Sequence, residues 1–433
     1  MAAITASREL LIKGGHVLSI DSEVGDLDRG DILVRDGRIV EVSPEIDADV
    51  PVIDASEHFV MPGFVDSHTH MWNSLWRTVA QPYPRVHSHL GRHYLPEDSH
   101  VGVRLAALDM INGGVTTVHA WEHNCRSSEH VDAELEALRD VGIRRHYSYG
   151  YHHDFAPEQI TDFADIVRAR NQWEDDLTTV GFASRVAHVP LDFWFPTATE
   201  EVRQREWAEA RKHGLQITHH AGTLPTPYEL EVDLGGPDVL FVHAYHWAPE
   251  AWKVHADLGT RLSLSPYSSM FRDAPMPFNA IRESGIVVSL SYDHLSGPGS
   301  ADTFRLMHIS HQQAMAAKQS VSARELVEYA TLGGAKALAM ADRTGSITPG
   351  KSADIILVDK RPLGLAPIVD PYHAIVNSAQ PGHVSTVMVA GRVLKHEGKL
   401  VDVDEKALRD DASRTIEALF RRANLDEFGG LRS

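Results

Sequence analysis

Among the 433 residues there is one cysteine, Cys125. An internal disulfide is thereby excluded, as is a metal site built on thiolates. Basic charge is also scarce: 41 Lys and Arg stand against 60 Asp and Glu, a formal net charge of −19. Nucleic acid and anionic membrane surfaces are poor partners for that balance. No stretch approaches the roughly 18 unbroken apolar residues of a membrane span. Residues 1–15 show no basic start followed by a long apolar run, so no signal peptide is read and a cytoplasmic protein is expected. No glycine-rich phosphate turn follows the first candidate strand of the alternating region, which argues against an open doubly wound sheet.

What is present is ordinary globular material, 43% hydrophobic and 23% charged. The length suits two or three domains, or one barrel with a smaller domain. Residues 10–59 read as short strands separated by Gly and Asp, with Asp36-Gly37 as a hairpin turn. The stretch 60–71, VMPGFVDSHTHM, follows. If it is a strand, His68 and His70 project from one face. Residues 72–97 are rich in Trp, Tyr, Pro and His and have no periodicity, as in a lid or binding loop.

Beyond them, strand and helix patterns alternate. Strands are read at 115–120, 144–150, 184–189, 215–220, 239–243, 261–265 and 286–291, with helices between most of them. Helix 200–213 is preceded by Thr197, which with Glu200 has capping-box spacing. With the strand from Phe64, eight strand units result, the pattern of a (β/α)8 barrel. Residues 323–340 read as one more helix, and 344–359 and 384–400 return to strand character. The expected organisation is a small β-sandwich domain from 1–59 with 345–400, an α/β TIM-like barrel over 60–344, and an exposed helical tail over 401–433.

In a parallel barrel the chemistry sits where the strands end. Ligand-type residues fall at four such ends: His68 and His70, His219 and His220, His243 with His246 just beyond, and Asp293. Any one of them has a structural explanation, and the chain holds 27 histidines. Together they suit a borderline divalent ion with a position left for water.

The chain resembles the amidohydrolase superfamily, in the branch of triazine hydrolases and cytosine, guanine and methylthioadenosine deaminases. PGFVDSHTH, VLFVHAYHWAPE and LGGAKALAMADRTGSITPGKSADIILVD carry the resemblance, which runs from about residue 10 to 400. It implies that His68, His70, His219 and Asp293 bind the metal. His219 is preferred to His220 by its place relative to the following Ala and Thr. The resemblance also implies that His243 touches the attacking water or the substrate, that His246 is a second histidine of that strand end, and that His188 contacts substrate. Lysine is absent between Asn171 and Arg211, so the modified fourth-strand lysine that bridges the metals of two-metal members is not expected. One divalent ion is, zinc before iron or manganese.

Many deaminases of the branch carry Glu three residues after the fifth-strand histidine, where this chain has Gly222. His220, His246 and His123 are the candidates to move the proton instead. Trp72, Trp76 and Tyr83 are candidates to stack on a planar substrate. The expected function is hydrolysis of a C–N bond in a small cyclic or aromatic compound, by deamination or amide or urea cleavage. Metal-activated water would be the nucleophile and Asp293 the base. Displacement of a ring substituent and a catalytically silent metal-binding barrel are the alternatives. A homo-oligomer is expected.

Overall fold

A computed structural model of the chain describes residues 9–79, 89–186, 197–221, 234–271, 276–297 and 299–425. The first strands are β1 (Glu9–Val17), β2 (Leu27–Arg35), β3 (Arg38–Ser43), β4 (Val52–Asp54) and β5 (His58–Pro62). A second group follows: β6 (Phe64–His70), β7 (Val115–Glu122), β8 (Arg144–Tyr149), β9 (Thr178–Ser184), β10 (Ile217–Ala221), β11 (Val239–His243), β12 (Arg261–Leu264), β13 (Val287–Leu290) and β14 (Asp293–His294). The last four are β15 (Ile355–Asp359), β16 (Val384–Val389), β17 (Arg392–His396) and β18 (Lys399–Leu400).

The strands of the two chain ends form one sheet, ordered β18-β17-β16-β15-β5-β1-β2-β3, with β4 on β1. The turn between β2 and β3 has φ 47° at Asp36 and 76° at Gly37, the two positive values a tight hairpin requires. A Cβ on Gly37 would lie 2.5 Å from the Ala390 carbonyl oxygen, so no larger residue fits. Ile32, Val34 and Ile39 share an apolar cluster with Met388 and Val393, although their strands lie far apart in the order. The sheet therefore curls over its own core, as the expected sandwich would.

β6 to β14 form the other sheet, parallel throughout, with β6 to β13 in sequential order and β14 on the far side of β6. β13 pairs with β12, whereas β14, two residues later, pairs with β6. One interrupted eighth strand thus closes a parallel barrel. β6, β7 and β8 are buried along their whole length, because helices cover the outside and side chains fill the inside. A buried ion pair ties barrel to end sheet: Arg144 Nε, at the start of β8, lies 2.7 Å from Asp354 Oδ2, just before β15.

Four details correct the sequence reading. The fourth barrel strand is Thr178–Ser184 rather than 184–189, whose last three positions lie outside the described residues. Helix Glu200–Lys212 is capped by Thr199, whose side chain accepts from the Val202 amide, and not by Thr197. The helix expected over 323–340 is broken by a π-helical turn, Tyr329–Gly333. The tail helix, Glu405–Arg422, is not simply exposed: Leu408 and Leu419 are buried, and Arg422 pairs with Asp98 of helix Pro96–Asn112. Among the described residues no helix is long and apolar enough to cross a membrane.

Candidate metal centre

The end of β6 carries the His-x-His pair. Pleating puts both imidazoles on one face, and their ring centroids are 4.7 Å apart. The Nδ1 of His70 lies 2.9 Å from the carbonyl oxygen of Trp121. A carbonyl only accepts, so Nδ1 carries the hydrogen and Nε2 is bare. That Nε2 lies 3.4 Å from Asp293 Oδ1, and His68 Nε2 lies 3.5 Å from the same atom. His68 is wholly buried, and among the described residues neither of its ring nitrogens makes a hydrogen bond. A buried imidazole in that state is costly unless something else takes its lone pair.

Two further strands complete the group. Ligand atoms of His68, His220, His243 and Asp293 all lie within 4.8 Å of one another. They come from β6, β10, β11 and β14, all at the same mouth of the barrel. Two of them sit on strained backbone, with φ 82° at His243 and 67° at Asp293. Left-handed conformations of non-glycine residues cost about 1–3 kcal/mol each and concentrate at functional sites.

The electrostatics fit a cation. Burial alone would raise the Asp293 carboxyl, but His243, His68 and His70 around it outweigh burial and hold it well below the usual range. Burial lowers His68 to about 4 and pushes His220 well below its ordinary value. Neutral imidazoles beside a carboxylate are the protonation states that a divalent ion needs.

Among the fifth-strand histidines, the structure corrects the sequence reading. His220 faces the centre, its ring 4.9 Å from that of His68. His219 points to the outside of the barrel, 5.5 Å from Trp207 of the covering helix and 6.0 Å from Phe241. Adjacent strand residues take opposite faces, so His219 and His220 cannot both serve. Counting three residues from His220 reaches Thr223 instead of Gly222; neither is a carboxylate, and both lie outside the described residues.

His123 lies against the centre, its ring 4.3 Å from that of His70, and accepts the Trp72 indole N–H at 3.3 Å. Trp72 is fully buried and Trp76 stands edge-on behind it at 4.9 Å, so Trp76 supports the wall instead of lining the site. His246 is half-buried and makes no ring contact or ion pair with the cluster among the described residues. His188 and Tyr83 lie outside the described residues.

Several neighbours were not read from the sequence. Trp121 packs its ring 4.5 Å from His220 and 4.9 Å from His70. The Ser268 hydroxyl donates to Asp293 Oδ2, and Tyr245 touches His243. A Trp beside strand end 122 and a Tyr two residues past a histidine were visible signals; Ser268, in the short helix Pro266–Phe271 after β12, had none.

The chain is similar to known proteins over most of its length. A model described as the amidohydrolase family matches residues 59–394. A 5'-deoxyadenosine deaminase of Methanosarcina barkeri is 28% identical over 445 residues, covering 96% of this chain and 99% of that protein. A 5-methylthioadenosine/S-adenosylhomocysteine deaminase of Thermococcus kodakarensis is 29% identical over 416 residues, covering 89% and 93%. An adenosine deaminase from Xanthomonas campestris, solved with bound zinc, shares the fold with TM-score 0.83, 23% identity and coverage of 95% and 99%. An atrazine chlorohydrolase from Arthrobacter aurescens TC1, complexed with zinc, superposes with TM-score 0.82 at 20% identity, covering 94% and 100%.

Proposed function

The chain belongs to the amidohydrolase family, and we propose that it is a metal-dependent hydrolase that deaminates a small planar N-heterocycle. The observation that carries this is the convergence of His68, His220, His243 and Asp293 from four strands within 4.8 Å. Relatives of similar length that deaminate adenine nucleosides support the substrate class. His68, His70, His220 and Asp293 would hold one divalent ion, zinc first, with His243 facing the same centre. When bound, such an ion supplies Lewis acidity and lowers the pKa of water toward neutrality.

The chain's own groups do the rest. Asp293, the carboxylate set among these imidazoles, takes a proton from the attacking water and later delivers it to the departing nitrogen. The Ser268 hydroxyl, donating to Asp293 Oδ2, keeps that carboxylate in place between the two transfers. Trp121, His123 and Trp72 form an aromatic wall for a flat ring. Proton delivery to a ring nitrogen, which Gly222 and Thr223 cannot perform, falls to His123. Its Nδ1 already accepts from Trp72, so in the neutral ring Nε2 carries the hydrogen.

A second reading, displacement of a ring substituent such as halide or alkylamine, is favoured by the missing carboxylate at 222 and 223. The products separate the two. Zinc-loaded protein is assayed against aminopurines and their nucleosides, aminopyrimidines, ureas, anilides and chlorotriazines. Ammonia from an aminopurine or aminopyrimidine, lost on chelation and restored by zinc, supports deamination. Halide or alkylamine release with no ammonia supports displacement. No product from any compound, before or after metal loading, sinks both.

A further inference from the structure

After β11 the backbone turns back on itself. His243 and Ala244 are both left-handed, at φ 82° and 53°. Tyr245 is thereby folded against the residue two before it, with ring centroids 5.3 Å apart and an interplanar angle of 35°. Tyr245 is buried, and its phenol oxygen lies against Ser265 and His243. The Ser265 carbonyl oxygen is at 2.5 Å, the Ser265 amide nitrogen at 3.1 Å and the His243 Nδ1 at 3.2 Å.

Counting hydrogens gives the direction of each bond. A phenol has one hydrogen and two lone pairs. The Ser265 carbonyl can only accept, so the hydrogen goes there. The Ser265 amide can only donate, so it occupies one lone pair. The remaining lone pair faces His243, and Tyr245 has no second hydrogen to offer. The bond therefore runs from His243 Nδ1–H to the phenol oxygen.

We infer that Tyr245 is a positioning residue that holds His243 as the Nδ1–H tautomer and so makes the nitrogen facing Asp293 an acceptor. That nitrogen, Nε2, lies 3.9 Å from Asp293 Oδ2. Two acceptors set face to face leave room for a cation or a water hydrogen between them. In this tautomer His243 does not donate to an oxyanion until it has itself gained a proton. Its first act is to accept. This last consequence rests on the hydrolase reading; the tautomer does not.

The test reads the tautomer directly. Zinc-loaded protein is labelled with 15N-histidine, and the two-bond 1H–15N correlations of the ring nitrogens are recorded. His243 is assigned by the peaks missing from His243→Gln. The expected pattern is a protonated Nδ1 and an unprotonated Nε2 in wild type, shifted in Tyr245→Phe. In the Phe variant kcat should fall about 10–100-fold, the usual effect of removing an outer partner of a metal-site histidine. KM should stay within about 2-fold by the same logic, while the thermal midpoint should fall, because the buried Ser265 amide and carbonyl lose their partner. A wild-type His243 protonated on Nε2 overturns the proposal. So does a Phe variant with an unaltered His243 pattern. If the variant does not fold, the wild-type spectrum alone decides. If no substrate is turned over, the hydrolase reading has failed while the tautomer assignment still stands or falls on its own spectrum.

Discussion

Asp66 Oδ1 accepts the backbone N–H of Tyr292 at 2.9 Å. The first barrel strand thus holds the residue immediately before Asp293, in the gap where the eighth strand is interrupted. Thr69 donates to the other oxygen, Oδ2, at 2.5 Å. Asp66→Ala should leave a buried amide unpaired, costing about 1–3 kcal/mol, and should let Asp293 drift. Denaturant unfolding and kcat should fall together; a variant with lower stability and wild-type kcat would show that the bond only staples the barrel.

Asp293 is both the proposed base and a ligand. Asp293→Asn should cut kcat by at least about 100-fold, the lower end of what general-base groups contribute. The circular-dichroism spectrum should remain native. Near-normal turnover in that variant would remove Asp293 from the proton path.

The two neighbouring histidines of β10 should behave oppositely. His220→Ala should lose most of its metal by elemental analysis. His219→Ala should keep the metal and lose stability, because its ring packs between Trp207 and Phe241. A drop of about 2–4 kcal/mol fits the loss of a buried ring. Equal metal loss in both variants would contradict the orientation described above.

Glu134 is fully buried, accepts the Tyr147 hydroxyl at 2.6 Å, and is pushed up to about 7 by burial. In the unfolded chain the same group ionises near 4.5. Below that value both states hold the proton and the fold is at full strength. As pH rises toward about 7 the unfolded chain releases its proton first, so stability declines. Glu134→Gln should flatten this slope in urea midpoints measured across the interval. Parallel curves for the two proteins would dismiss the assignment.

Arg144 and Asp354 join barrel and end sheet in a buried pair. Burial alone would raise the Asp354 carboxyl, but Arg144 beside it holds it below the usual range. Asp354→Ala strands a buried guanidinium and should cost about 3–5 kcal/mol. kcat should be unchanged in the folded fraction, since the pair lies at the opposite end of the barrel from Asp293. A lower kcat at full folding would mean that the joint reaches the site.

Much of this protein was legible along the chain. The alternation of strands and helices, the Asp36-Gly37 turn, the shared face of His68 and His70, and Asp293 at the last strand end follow from local periodicity and turn chemistry. The motifs of the amidohydrolase family confirmed the same frame. Other features depended on the folded molecule. Alternation says that His219 and His220 point opposite ways, but not which one points inward; the packing of Trp207 against the outer face decides that. The left-handed turn at His243 and Ala244, which brings Tyr245 back onto the site, carries no glycine to announce it. Ser268 and Trp121 reach the centre only because distant segments close round it. Periodicity belongs to neighbours in the chain, whereas the facing of a side chain is fixed by what packs behind it.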